Sequence, residues 1–193
     1  MIGQNLPSAV RTPDGWRRAL WIALLVTATA AFSFGMSCAC PFAGLGAAAA
    51  MTMRGRDAVL LIVAAWAVNQ VIGFGLLGYP WDASTLTWGL VLGVVAVLAT
   101  LAARRMVPAL RRQHGLIAAA GAFLAAFAVY EGALFAVAAG APGRVEDFAP
   151  DIVGRIVALN AAAFIGLLAL SGLGSIAGLA AKPRLGLPAA GQA

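Results

Sequence analysis

Two cysteines separated by a single residue carry the most distinctive chemistry in this sequence. Cys38 and Cys40 lie in an uncharged stretch, residues 34–46, that also contains Pro41. A thiolate is a soft ligand that suits Cu(I), zinc, mercury or the cobalt of a corrinoid. A closed structural zinc site needs four donors, and His114 is the only histidine. The pair therefore predicts transient binding of a soft metal or of a metal carried by a ligand, with packing as small apolar side chains as the alternative.

Polar side chains within or beside long apolar runs form a second set of candidates. Amides and carboxyls inside a bilayer are costly unless they meet one another or a wet cavity. No Lys or Arg lies within a predicted span to pair with Glu131, so we expect Glu131 to face a pocket, with a protonated structural carboxyl near the membrane interface as the alternative. Hydrogen bonding between helices is the alternative for the amides. The predicted substrate-binding residues are Cys38, Cys40, Asn69, Gln70, Tyr79, Trp81, Tyr130, Glu131 and Asn160.

The elements that must position these residues follow from composition. The chain has 193 residues, of which 62% are hydrophobic and 10% charged, whereas soluble proteins are about a quarter charged. A spanning helix needs about 20 apolar residues. We therefore predict an all-α integral membrane bundle, residues 16–181, between short tails at 1–15 and 182–193. The predicted spans are 19–36, 41–53, 58–78, 86–103, 116–139 and 156–179, and the short second span must be tightly packed or partly sunk.

The distribution of cations predicts the orientation in the membrane. The N-terminus, the second-to-third and fourth-to-fifth connections and the C-terminus hold eleven of the thirteen Lys and Arg residues. Such segments are cytoplasmic, so we expect both termini inside, in the bacterial cytoplasmic membrane. At about 1.5 Å per residue, Asn69, Glu131 and Asn160 then fall in the outer half of the bilayer. Topology thus explains the net charge of +6, and we predict no nucleic-acid partner.

The first apolar run carries small residues at every fourth position, Ala19, Ala23, Thr27 and Ala31. This spacing places them on one face, where a neighbouring helix can approach closely in lipid. Packing within the chain is the interpretation that the residues alone favour, and contact with a partner protein is the alternative. The sequence has no phosphate-binding loop and no nucleophilic triad, so we do not predict an enzyme.

Three of the five tryptophans lie within or beside the third and fourth predicted spans. Trp81 and Trp88 are typical of an interfacial aromatic belt. Trp66 lies near the middle of the third span, where we expect it to pack within the bundle. Lining a pocket for a flat ligand is the alternative for Trp66.

The layout of six short helices, both termini inside, an alanine ridge on the first helix and a polar site in the outer half resembles the substrate-binding S components of energy-coupling factor (ECF) vitamin transporters. The runs Pro41–Ala47, Arg54-Gly-Arg-Asp-Ala58 and Ala65-Trp-Ala-Val-Asn69 are similar to the second and third helices of these proteins. The resemblance covers residues 16–180. It implies that a vitamin or cofactor is captured from outside and that the protein topples in the membrane to release it inside.

The same resemblance implies roles for particular residues. Ala19, Ala23 and Thr27 would contact a transmembrane coupling subunit that works with ATPases. The solitary cobalamin S components of Gram-negative bacteria use a cysteine to ligate cobalt, so by analogy Cys38 or Cys40 would ligate a transported corrinoid such as cobalamin. No intrinsic cofactor is expected. Two other functions are open, namely a transporter of copper or mercury that uses both cysteines and a membrane assembly subunit without a ligand.

Overall fold

The computed structural model describes residues 15–35, 40–110, 113–140 and 148–177. The regular secondary structure of these residues is entirely helical, with no strand among them, which confirms the prediction of an all-α protein. Six helices follow one another in the chain: α1 Gly15–Gly35, α2 Phe42–Thr52, α3 Gly55–Gly75, α4 Ala83–Ala109, α5 Gly115–Ala139 and α6 Pro150–Ile176.

The short helix α2 forms the centre of the bundle. All eleven of its residues are buried, and it packs against α3, α4, α5 and α6. Its many Gly and Ala residues allow this close approach. A Cβ on Gly44 would collide with the backbone carbonyl of Asn160, and one on Gly46 would lie 2.5 Å from Thr100 Oγ1. At about 1.5 Å per residue α2 covers only about half of a bilayer core, so the prediction of a short, tightly packed second helix is confirmed.

Helices α3 to α6 are each long and apolar enough to cross a membrane. They leave large apolar side chains uncovered, among them Leu90 at 61% and Leu124 at 63% exposure. Such side chains need no protein cover in lipid, because lipid tails are as apolar as leucine. The shorter apolar stretches are Arg18–Ala28 within α1 and the whole of α2. Four of the predicted spans are thus confirmed as helices of spanning length.

Contacts between helix ends show that five of the described arginines gather at one end of the bundle. Arg18 Nη2 lies 3.0 Å from Asp57 Oδ1, which joins the start of α1 to the start of α3. A Cβ on Gly55 would lie 2.5 Å from Arg104 Nη2, so the end of α4 meets the start of α3 as well. We call this the basic end, and its described arginines are Arg18, Arg54, Arg56, Arg104 and Arg105.

The small-residue ridge of α1 faces away from the other described helices. Ala19, Ala23 and Thr27 are exposed. The side chains that α1 turns inward are instead Trp21 and Leu25, which are 5% and 3% exposed. Large side chains gain more contact with neighbouring helices than alanines do. Packing of the ridge within the chain, the interpretation favoured by the residues alone, is therefore wrong for the described residues.

Asp82 caps α4 at the end of the bundle opposite the basic end. Its Oδ1 accepts a hydrogen bond of 2.8 Å from the backbone N–H of Thr85. That bond stabilises the carboxylate and holds the pKa of Asp82 below its ordinary value of 3.8, with desolvation acting in the opposite direction. A carboxyl whose pKa is lowered by folding adds stability above its unfolded pKa, and this stability is lost as the pH falls through the folded pKa.

We expect Asp82→Ala to lower the melting temperature slightly at neutral pH and to match the wild type at a pH well below 3.8. The replacement removes the acceptor for a first-turn N–H group, whereas Asp82→Asn keeps an acceptor of the same shape. Thermal unfolding in detergent, followed from neutral to acidic pH, gives the melting temperature of each variant at each pH. An Asp82→Ala profile that overlays the wild type at every pH would contradict the role of this cap.

Candidate functional site

A cavity of about 270 Å³ lies at the end of the bundle opposite the basic end. The starts of α2, α4 and α6 and the later turns of α3 and α5 surround it. Five of the nine predicted substrate-binding residues line it, although they are far apart in the chain. They are Cys40, Asn69, Tyr130, Glu131 and Asn160.

Three of the other predicted residues, Gln70, Tyr79 and Trp81, do not line this cavity. Cys38 lies outside the described residues. Gln70 turns towards α4, where a Cβ on Gly89 would lie 2.6 Å from its Oε1. Tyr79 and Trp81 both pack against Phe74, with ring centroids 6.1 and 4.6 Å away, and Trp81 is 75% exposed. The structure therefore places Gln70, Tyr79 and Trp81 in helix packing or at the surface rather than in the site.

A tight turn brings Cys40 to the cavity. Pro41 has φ −81° and ψ 60°, and the Phe42 N–H donates a 2.8 Å hydrogen bond to the Cys40 carbonyl. These values define an inverse γ-turn around the proline. Helix α2 then begins with the Leu45 N–H donating to the Pro41 carbonyl at 2.9 Å. Because α2 starts inside the bundle, the turn places Cys40, which is 9% exposed, on the cavity wall.

Asn160 holds the start of α2 in place from α6. The backbone N–H groups of a first helical turn lack partners within their own helix. The Gly44 N–H donates to Asn160 Oδ1 at 2.9 Å, and Asn160 Nδ2 donates to the Ile156 carbonyl at 3.0 Å. Asn160 is 2% exposed. Its amide is thus engaged within the bundle, which supports hydrogen bonding between helices as its role and makes it a positioning residue at the cavity.

Glu131 is the unsatisfied polar group of the cavity. Both carboxyl oxygens are buried, and neither has a hydrogen-bond partner among the described residues. The described lining of the cavity contains no Lys, Arg or His. Leaving a buried acceptor unpaired costs about 1–3 kcal/mol, and more when the group is charged. A hydrogen-bond donor or a cation entering the cavity would relieve this cost.

Aromatic side chains form much of the remaining wall. Phe42, Trp88 and Phe148 line the cavity together with Tyr130. The sequence interpretation assigned Trp88 to the interfacial belt and did not include Phe42 or Phe148. Two signals were available: Trp88 and the lining residue Leu92 are one helical turn apart on the same face, and Phe42 follows Cys40 closely. Such a wall suits a flat or cationic ligand.

Among the described residues, no three side chains of His, Cys, Asp or Glu type are grouped so that they could hold a metal ion. Comparison with known proteins returned no match to a family model, to a curated protein or to a solved structure. The fold alone therefore defines the class of this protein. Four long apolar helices around a short buried helix indicate a helical membrane protein. Its candidate functional site is the cavity at Glu131.

Proposed function

We propose that this protein takes up a small organic molecule of the vitamin or cofactor type, binding it in the Glu131 cavity and delivering it to the cytoplasm. The observation that carries the proposal is the buried carboxyl of Glu131, which has no hydrogen-bond partner in the part of the chain that the structure describes, inside an aromatic-walled cavity. If the basic end faces the cytoplasm, as the positive-inside rule requires, the cavity faces outward. The chain then crosses the bacterial cytoplasmic membrane six times with both termini inside.

The residues of the cavity define the chemistry of the preferred ligand. A cationic nitrogen or a strong N–H donor pairs with Glu131, and the flat part of the molecule stacks on Trp88 or Phe42. Asn69 offers both a donor and an acceptor for a further polar group. The volume of about 270 Å³ lies just below the 300–1,000 Å³ typical of small-molecule sites. These properties favour a compact, cationic heteroaromatic or amine-bearing molecule.

A corrinoid such as cobalamin is the second ligand to test. Its support is the position of Cys40 on the cavity wall, where a thiolate is a soft ligand for cobalt. A corrin macrocycle is far larger than the cavity, so its entry requires the helices around the cavity to move apart. For this reason the geometry favours the smaller cationic ligand.

The proposal includes a partner that drives release into the cytoplasm. The exposed face of Ala19, Ala23 and Thr27 is uncovered by the described helices. Small residues on such a face allow another membrane helix to pack closely. We assign this face to a transmembrane coupling subunit associated with ATPases, as in the S-component layout that the sequence resembles.

A thermal-shift panel on the purified protein tests ligand binding directly. Vitamin-sized cationic, neutral and anionic compounds are compared with cobalamin. We expect a cationic compound to raise the melting temperature by several degrees, because a ligand at 100 times its Kd stabilises the folded state by about 2.7 kcal/mol. Anionic analogues of the same size are expected to have no effect. The absence of a shift with every class would contradict the proposal and favour an assembly subunit without a ligand.

The role of cysteine is tested in the same preparation. Cys38→Ser and Cys40→Ser are measured separately, with cobalamin and with the best cationic compound. If the ligand is a small cation, both variants should retain its thermal shift. A change in the cobalamin absorbance spectrum that is present in the wild type and lost in Cys40→Ser would instead identify a corrinoid as the ligand.

A further inference from the structure

A second cavity lies on the lateral surface of the bundle, where α3 and α4 meet. It is separate from the cavity at Glu131. This groove has a volume of about 320 Å³ and an apolar lining that includes Val63 on α3 and Val94, Val97 and Leu98 on α4. Val63, Val94 and Leu98 are 43%, 60% and 46% exposed. An uncovered groove of this kind in a spanning region faces lipid.

Trp66 forms the floor of the groove. Its indole N–H donates a 2.7 Å hydrogen bond to the carbonyl of Gly89, which fixes the orientation of the ring. A Cβ on Gly93 would lie 2.8 Å from Trp66 Cε2. The absence of a side chain at Gly93 therefore leaves room for the Trp66 ring and makes the groove deeper. Trp66 thus packs against α4 through its N–H, and its ring also lines this groove on the surface of the bundle.

Two arginines lie beyond the groove, towards the basic end, on the same helix faces that line it. Arg56 precedes Val63 by seven residues on α3, and Arg105 follows Leu98 by seven residues on α4. Seven residues are about two helical turns, so each arginine lies on the same face as its partner and about 10 Å further along. Both arginines are exposed. The groove thus leads to a pair of cations at one surface of the membrane.

We propose that the groove binds one acyl chain of an anionic phospholipid whose phosphate is held by Arg56 and Arg105. One leaflet of the hydrocarbon core is about 15 Å deep. A chain that starts at the arginines therefore passes Leu98 and Val63 and reaches Val94 near the midplane. The apolar lining contacts the methylene groups, and the arginine pair selects an anionic over a zwitterionic headgroup. This site requires membrane insertion but is independent of any ligand at Glu131.

Lipids brominated on their acyl chains test the site in reconstituted membranes. The protein has five tryptophans, so the quenching of Trp66 is obtained as the difference between the wild type and Trp66→Phe. We expect brominated phosphatidylglycerol to quench Trp66 at a mole fraction about tenfold lower than brominated phosphatidylcholine does. The double variant Arg56→Gln/Arg105→Gln should lose this preference. The double Lys variant should keep most of it, and Arg155→Gln, at the other end of the bundle, should retain it fully.

Equal quenching by the two lipids, or a preference that survives the double Gln variant, would overturn the proposal. Native mass spectrometry provides a second measurement by counting retained phosphatidylglycerol molecules. Val94→Phe fills the groove and should reduce the count by one, whereas Leu124→Phe on the exposed surface of α5 should not. If Val94→Phe instead converts a dimer into a monomer and leaves lipid retention unchanged, the groove is a contact between two copies and the lipid assignment is wrong.

Discussion

Replacement of Glu131 by glutamine is expected to weaken binding of the cationic ligand by about 10- to 100-fold. A hydrogen bond to a charged group contributes about 1.5–3 kcal/mol, and each 1.4 kcal/mol is a factor of ten in affinity. The amide keeps the shape of the side chain but removes the charge. Titration of the purified variant by calorimetry or by thermal shift gives the change in Kd.

The same replacement is expected to raise the melting temperature of the ligand-free protein. Both carboxyl oxygens of Glu131 are buried without a partner among the described residues, so a negative charge on them destabilises the empty bundle more than the neutral amide of glutamine does. Opposite effects on stability and binding are typical of a functional polar group held in an unfavourable site. A carboxyl with a purely structural role would instead lose stability when it is replaced.

Asp151→Asn is the matched control for Glu131→Gln. Asp151 is an exposed acid in the first turn of α6, at the same end of the bundle, and it does not line the cavity. Its replacement removes one negative charge but should leave both ligand affinity and melting temperature close to the wild type. If Glu131→Gln and Asp151→Asn bind the ligand equally well, Glu131 is not part of the site.

Replacement of Gly44 by alanine adds only one methyl group but is expected to cause a large loss of stability. The new Cβ would collide with the backbone carbonyl of Asn160, which cannot move without displacing α6. Overpacking of this kind costs about 1–3 kcal/mol. Thermal unfolding in detergent measures the loss, which we expect to exceed the small gain in helix propensity that alanine brings.

Gly166→Ala provides the control within α6. A Cβ at that position meets nothing within 4 Å, so the substitution should stabilise the helix slightly.

The ligand affinity of Gly44→Ala is the second measurement. A displaced start of α2 moves Cys40 and Phe42 on the cavity wall, and Gly44→Ala should therefore bind the ligand more weakly even below its melting temperature. Equal stability of Gly44→Ala and Gly166→Ala would show that α2 and α6 are not packed as closely as described.

These two predictions are linked by the shortness of α2. A helix of full spanning length would place its first turn at the membrane surface. Because α2 has eleven residues and is buried throughout, its first turn lies inside the bundle and forms part of the cavity. At a surface, water would accept a hydrogen bond from a first-turn N–H group. Inside the bundle, Asn160 Oδ1 accepts it from the Gly44 N–H instead. The construction of the core and that of the site therefore depend on the same contact between α2 and α6.

Composition and local pattern were sufficient to predict the helices and the common level of three polar residues along the bundle. Long apolar runs leave a helix as the structure that satisfies its own backbone hydrogen bonds in lipid. The rise per residue then places Asn69, Glu131 and Asn160 at similar depth. Their depth depends only on position along a helix, and the structure indeed brings all three to one cavity.

Tertiary structure alone decided which way each side chain turns around its helix axis. Asn69 and Gln70 are adjacent in sequence, but successive helical residues point about 100° apart, so Asn69 lines the cavity and Gln70 meets α4. Nearly every position of these helices is apolar, and hydrophobic periodicity therefore gives little indication of the inward face. The exposure of the α1 ridge and the place of Trp88 on the cavity wall depend on packing between helices distant in sequence, which no local pattern encodes.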